Sequence, residues 1–330
     1  MDTRHQEEKG DSDIISYIHI YPFIHNFIQF NLFIMHAPLK ALNRSCKLLY
    51  SNGKKLRHFN TAKEELKVHI NTNSKVATLT LNRPQARNAL STSLLQDLGS
   101  AVTSVSEDRN VHVIILEAEG GVFSSGHDLK EVTGDNQNHG TYMDLFQLCS
   151  KVMIQIAESE KPIIAKVNGI ATAAGCQLVA ACDLVVATEN SKFATPGVNI
   201  GLFCSTPAVS IARAVGRRNA MYMLLTGDLI DAEEAKDFGL VTKIVDTEEK
   251  LTSYVDELAN KIALKSPASI KMGKRAFNKQ IQLGLQDAYE LTSATMADNL
   301  LDPDAMEGIN AFLSKRPPVW PSVIDKYDNK

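Results

Sequence analysis

The 330-residue chain is 44% hydrophobic and 22% charged, enough to bury one large core or two modest ones. Its net charge of −3, with neither an arginine-rich helix nor zinc-finger spacing, excludes a basic field that would hold a nucleic acid. Five cysteines, Cys46, Cys149, Cys176, Cys182 and Cys204, are odd in number and lack CxxC spacing, so neither a disulfide framework nor a zinc site is indicated and a reducing compartment fits.

Residues 14–35 are long enough to span a bilayer, but Ser16, His19, His25, Asn26, Gln29, Asn31 and a proline interrupt them, so no stable membrane insertion is expected. Residues 36–63 then carry Lys40, Arg44, Lys47, Lys54, Lys55, Arg57 and Lys63, with no acidic residue before Glu64. Cationic, acid-free composition is that of a mitochondrial presequence drawn in along the membrane potential. Residues 1–65 are therefore expected to be a disordered leader with Met35 as the working start, and the mature chain is expected in the mitochondrial matrix. A membrane anchor and a basic tail are the other readings of the same residues.

From residue 66 strands and helices alternate. Val76, Thr78 and Thr80 alternate with Ala77, Leu79 and Leu81 in a strand that stops at Pro84. Ser91 is placed to cap a helix whose apolar residues Leu94, Leu95, Leu98, Val102 and Val105 recur at three and four. Residues 111–118, 161–169 and 183–188 read as further strands, each followed by a small-residue turn or a helix, a spacing that predicts an α/β core. Beyond residue 205 the pattern is mostly helical. Asp231 and Glu234 make a capping-box pair before a helix ending at Gly239, and amphipathic runs cover about 248–264, 267–281, 283–299 and 303–314. Residues 131–145 read as a loop.

Two stretches place backbone donors where a ligand could reach them. In "FSSGHD" (123–128), Gly126 can take a positive φ and leave the His127 amide facing a cavity. In "NGIATAAGCQLVAACD" (168–183), Ala171, Ala173, Ala174 and Gly175 have almost no side chains and lead into a helix whose first amides suit an oxygen carrying negative charge. Two such donors on one carbonyl oxygen form an oxyanion hole. Small residues before a helix serve tight packing equally well, and the spacing alone leaves both readings open.

The segments "LNRPQARNALS", "FSSGHDLKE", "KPIIAKVNGIATAAGCQLVAACDLVVAT", "FATPGVNIGLF" and "GLVTKIV" together resemble the crotonase, or enoyl-CoA hydratase/isomerase, superfamily over roughly residues 68–318. The resemblance implies a crotonase-like ββα spiral core over 66–258, a helical C-terminal trimerisation region over 259–330, assembly as a homotrimer or hexamer, and a site for acyl-CoA thioesters. Coenzyme A enters only as part of the substrate, and no other cofactor or metal is implied. Carried over by position, the oxyanion amides fall on His127 and Ala174. Arg87, Ala89, Ser125, Asp128 and Leu129 would line the CoA groove, with Ala173 beside them, and Phe312 and Lys315 would help hold the nucleotide end, sometimes from a neighbouring subunit.

The two glutamates with which hydratases of this family move a proton fall on Gln177 and Gly197. Glutamine cannot accept a proton at neutral pH and glycine has no side chain to do so, which implies weak hydration or none. A decarboxylase or other lyase that needs only the oxyanion hole, and a non-catalytic scaffold subunit, are the competing implications. The His127 ring is expected along or beneath the pocket wall, Asp128 and Glu131 at a helix start, and Cys176 as a core filler.

Overall fold

A computed structural model describes residues 48–51, 54–57, 64–135 and 137–323. The apolar stretch 14–35 and most of the expected leader lie outside them. The chain divides into Met1–Ser45, wholly outside the described residues, and Cys46–Lys330, which carries every element below. β1 (Leu48–Ser51) and β2 (Lys54–Arg57) fall within the expected leader and form an antiparallel hairpin that continues onto β3 (Leu66–Asn71), with Lys55 opposite Ile70.

β3 pairs antiparallel with β4 (Val76–Leu81), the strand that stops before Pro84. A 3₁₀ turn at Pro84–Ala86 leads to α1 (Thr92–Glu107), where the Ser91 hydroxyl accepts from the Leu94 amide and the predicted apolar positions are buried. β5 (Val113–Ala118), β6 (Val122–Ser124), the one-turn α2 (Leu129–Val132) and α3 (His139–Ala157) follow. Next come β7 (Ile163–Val167), β8 (Ile170–Thr172) and α4 (Ala174–Ala180), then β9 (Leu184–Thr188), β10 (Lys192–Ala194), a 3₁₀ turn at Pro196–Ile200 and α5 (Ser205–Thr226). The chain continues through β11 (Ile230–Asp231), α6 (Ala232–Phe238), β12 (Lys243–Val245) and α7 (Glu248–Ala263). It closes with α8 (Pro267–Gln280), α9 (Leu285–Leu300) and α10 (Pro303–Leu313).

Three ββα turns therefore wind in succession: β5, β6, α3, then β7, β8, α4, then β9, β10, α5. In each turn the first strand joins a large sheet of order β1-β2-β3-β4-β5-β7-β9-β12 and the second joins a small sheet of order β11-β10-β8-β6. From β4 onward the large sheet is parallel, and β6, β8 and β10 run parallel in the small one. Parallel strands covered on both faces read as continuous apolar runs, as β5 does with Val113 to Leu116 all buried. Ile114 and Leu116 face the main core between the sheets and the spiral helices. Val113 and Ile115 face the other way, onto Leu251, Val255, Ala259 and Ala263 of α7. Burying one such side chain is worth roughly 1.5–3 kcal/mol, so α7 holds the outer face of the sheet by apolar contact.

The long strands, both caps and the four C-terminal helices stand where the sequence places them; the Asp231 carboxylate accepts from the Glu234 amide and Gly239 ends α6 at φ 93°. The short strands β6, β8, β10 and β11 replace what read as turns, because two or three residues carry no period. Residues 131–145 are not all loop: α3 begins at His139, where Asn138 and Thr141 form a capping box. Its buried residues are Cys149, Val152, Met153 and Ile156, with Leu145 and Leu148 partly buried against the same core. Among the described residues no helix is long and apolar enough to cross a membrane.

Candidate active site

β6, β8 and β10 end at one edge of the small sheet, and three segments leave from there: Ser125–Asp128, Ala173 into α4, and Thr195–Gly197. The carboxyl ends of parallel strands are where α/β sheets hold ligands. Gly126 adopts φ 90°, which an L side chain resists. Its carbonyl accepts from Leu90 at 2.8 Å and the Asp128 amide donates to Leu90 at 3.3 Å. These two bonds flank His127 in a parallel bridge to Leu90, so the N–H of His127 itself turns away from Leu90.

Ala173 closes β8 with φ 50° and ψ −121°, an uncommon conformation for a residue with a Cβ, and its amide donates to Ala194 at 2.9 Å. No side chain caps α4. A Cβ built on Gly126 would stand 2.9 Å from the Ala173 Cβ and 3.1 Å from the Ala174 nitrogen. The turns carrying His127 and Ala174 are thus in contact, and neither amide donates to a backbone acceptor among the described residues. A Cβ on Gly175 would lie 2.4 Å from the Ser124 carbonyl. The small-residue run thus seats α4 against β6 and leaves the Ala174 amide without a backbone acceptor.

Arg83, which the sequence reading did not single out, ties these segments to the main sheet. Its guanidinium pairs with Glu65 at 2.9 Å and Asp128 at 3.0 Å and donates to the Ala89 carbonyl at 2.6 Å. Its amide donates to the Oδ1 of fully buried Asn88, whose Nδ2 reaches the carbonyls of Glu119 and Val122 at 2.9 and 2.7 Å. Only the "LNRP" segment hinted at Arg83; its partner Asp128 lies 45 positions on, beyond any local signal. The other Asp128 oxygen accepts from the Lys130 amide and caps α2, so the carboxylate is engaged within the fold. Glu131 accepts from the amide and hydroxyl of Thr92, both at 2.8 Å.

The exposed Arg87 presents its carbonyl to the Ser125 amide at 3.1 Å, and Ala89 is buried beneath Arg83. Leu129, at the start of α2, is exposed. Arg87, Ala89, Ser125, Asp128 and Leu129 therefore share one corner with His127. Phe312 and Lys315 stand in the C-terminal helical group, and no hydrogen bond or ion pair among the described residues joins them to that corner. Phe312 lines an apolar groove of about 510 Å³ with Ile309, Leu313 and Trp320.

The His127 ring meets Phe146 of α3 edge to face, with centroids 5.3 Å apart. Burial holds its pKa below the usual imidazole value, against the opposing charge of Glu131, so the ring is neutral at pH 7. Both ring nitrogens are buried without a hydrogen-bond partner, and so are Oε1 of Gln177 and Oγ1 of Thr195. These are all the buried side-chain polar atoms without a partner among the described residues. Leaving such an atom unpaired costs roughly 1–3 kcal/mol. Gln177 sits one turn into α4, its amide donating to Ala173 at 3.0 Å.

Gly197 lies in the 3₁₀ turn after β10, where a Cβ would come 2.4 Å from the Leu202 carbonyl and 2.7 Å from the Cys204 sulfur. Cys176 is fully buried, and burial pushes its thiol up to about 12, which makes it a core filler and not a thiolate nucleophile. Among the described residues no group of His, Cys, Asp or Glu is arranged to hold a metal.

The model of the family described as enoyl-CoA hydratase/isomerase matches residues 71–323. The chain is 51% identical over 245 residues to the rat enoyl-CoA hydratase domain-containing protein 3, mitochondrial, covering 74% of this chain and 81% of that protein. The crystal structure of the human protein of that name is 48% identical, with a TM-score of 0.75 over 78% of this chain and 100% of that one. An enoyl-CoA hydratase structure from Mycobacterium smegmatis gives 46% identity and a TM-score of 0.75, over 78% of this chain and 99% of that one. A spiral of ββα turns in two sheets, with that match across most of its length, makes this chain a member of the enoyl-CoA hydratase/isomerase family, the crotonases.

Proposed function

We propose that the chain binds acyl-CoA thioesters in mitochondrial fatty-acid metabolism, the amides of His127 and Ala174 forming an oxyanion hole around the thioester carbonyl. The observation that carries this is the contact between the two turns: a Cβ on Gly126 would sit 3.1 Å from the Ala174 nitrogen, and both amides lack a backbone acceptor. One donor of such a pair is worth about 3 kcal/mol in a transition state.

Gln177 and Gly197 occupy the places of the two hydratase glutamates. General acid–base catalysis is worth ~10²- to 10⁴-fold, so hydration of an enoyl-CoA is weak or absent. Arg87, Ala89, Ser125, Leu129 and Ala173 line the groove, while Asp128 acts through its ion pair with Arg83. Phe312 and Lys315 hold the nucleotide end of a ligand bound to a neighbouring subunit of a homotrimer or hexamer. Exposed Ile281, Leu285, Tyr289, Met296, Leu301 and Phe312 in the helical region 259–330 support that assembly. The chain is mitochondrial: its relatives at 46–51% identity carry that word in their names, and residues 36–63 have presequence composition.

Calorimetry with butyryl-CoA and crotonyl-CoA tests the reading, alongside turnover of crotonyl-CoA and methylmalonyl-CoA. Saturable binding with little hydration is expected, and Ala174→Asp should abolish binding; because Ala174 is fully buried, the variant's melting temperature is measured alongside. Unaltered affinity in that variant overturns the site. Release of CO₂ from methylmalonyl-CoA would assign the same donor pair to a lyase.

A further inference from the structure

We infer that Lys274 is a positioning residue for the nucleotide end of the thioester: its ion pair with Asp183 latches the helical group α8–α10 to the ββα body and so sets where Phe312 and Lys315 stand. The inference rests on the thioester reading above, in which those two residues hold the nucleotide.

Its basis is how the last three helices are attached. Among the described residues neither core cluster takes a residue beyond Ala263, and no apolar residue of α8 or α9 is buried. The apolar burial that fixes α7 to the sheet therefore does not fix α8 to the body. What joins them is polar. Lys274 Nζ donates to Asp183 at 2.6 Å and to the Lys161 carbonyl at 3.1 Å, Lys271 pairs with Glu160 at 2.7 Å, and Asn278 donates to the Ala157 carbonyl at 2.9 Å.

Of these ties the Lys274 pair is the most shielded. Its side chains are 10% and 30% exposed, against 51% and 40% for Lys271 and Glu160, so solvent screens it least. Burial pushes the Asp183 carboxyl above its usual range and the Lys274 charge opposes that, so the carboxylate depends on its partner. Asp183 also accepts from the Ile163 amide at 2.7 Å, which anchors it at the amino ends of β7 and β9. From α8 the placement passes on to α10: Ile270, one turn before Lys274, lines the same groove as Ile309 and Phe312, and Ser266 at the head of α8 donates to Asp304 at 2.6 Å. Lys315 stands in the turn that ends α10, its amide donating to the Phe312 carbonyl at 3.1 Å. The donor pair lies elsewhere, at the carboxyl ends of β6 and β8, and no hydrogen bond of Lys274 reaches it. Loosening α8 therefore weakens the hold on the nucleotide and spares the hold on the thioester carbonyl.

Calorimetric titration of the full protein with butyryl-CoA and with butyryl-pantetheine, the same thioester without the nucleotide, is the test. Lys274→Met should weaken butyryl-CoA about tenfold and leave butyryl-pantetheine unchanged, and Lys274→Arg should restore the natural affinity. Because Lys274→Met leaves the Asp183 carboxylate unpaired in a shielded place, the double variant Lys274→Met with Asp183→Asn removes that charge as well; it should keep the selective loss with a melting temperature nearer that of the natural protein. Hydrogen exchange of the α8 amides should quicken in both variants while that of β5 and β7 holds. Equal weakening of the two thioesters, unchanged affinity for butyryl-CoA, or a changed sedimentation coefficient overturns the positioning role alone. Failure of both thioesters to bind the natural protein overturns the thioester reading beneath it.

Discussion

Arg83 pairs with Asp128 across 45 positions of sequence, and through that pair the segment carrying the His127 amide is anchored beside β3 and β4 of the main sheet. The same guanidinium holds Glu65 at the start of β3 and the carbonyl of Ala89, so one largely buried side chain fixes three separate stretches of backbone.

Removing that cation should be costly. Arg83→Met leaves the Glu65 and Asp128 carboxylates without their partner in a shielded corner, and an expected loss of about 3 kcal/mol follows from breaking a buried pair on one side. Urea denaturation of Arg83→Met, Asp128→Asn and the double variant measures it, and the two changes should couple, the double variant losing less than the sum. Additive losses would mean that Arg83 and Asp128 act independently.

Introducing a glutamate at position 197 should not produce hydration of crotonyl-CoA. A Cβ there would stand 2.4 Å from the Leu202 carbonyl, a backbone atom that cannot move aside cheaply. Gly197→Glu is expected to destabilise by about 1–3 kcal/mol through overpacking, with crotonyl-CoA turnover unimproved. A variant with unchanged melting temperature and measurable hydration would show that the 196–204 turn has room the structure does not reveal.

Acid should weaken the protein through His127. Burial lowers the pKa of its ring in the folded state, while the unfolded chain keeps the ordinary value near 6.5. At a pH between the two, the unfolded state binds more protons, so stability falls as pH drops through that window and is unaffected above it. Each pKa unit of lowering corresponds to roughly 1.4 kcal/mol. Unfolding free energies at pH 7 and pH 5 should differ more in the natural protein than in His127→Gln, and an NMR titration should place the ring below 6.5. A ring titrating at or above that value contradicts the expectation.

Features recorded by neighbouring residues were legible in the sequence. The Ser91 and Asp231 caps, the β-branched runs of β5, β7 and β9, the period of α1 and the four C-terminal helices each depend on spacings within a dozen residues, where side-chain direction follows from backbone geometry alone. Both small-residue motifs carrying the candidate donors were visible for the same reason. α3 was hidden because a polar stretch precedes it and its first half is only partly buried, and β6, β8, β10 and β11 because strands of two or three residues exist only through the pairing that the spiral supplies.

The amino-acid order by itself determined the family resemblance, the long strands and helices of an α/β core, and the positions of Gln177 and Gly197 within their motifs. Only the tertiary structure decided that the His127 and Ala174 turns touch, that Arg83 anchors one of them, that position 197 has no room for a side chain, and that the polar atoms of His127, Gln177 and Thr195 are left unpaired together. Those are properties of contacts between residues dozens of positions apart. Each depends on distances of a few ångströms that no local periodicity encodes.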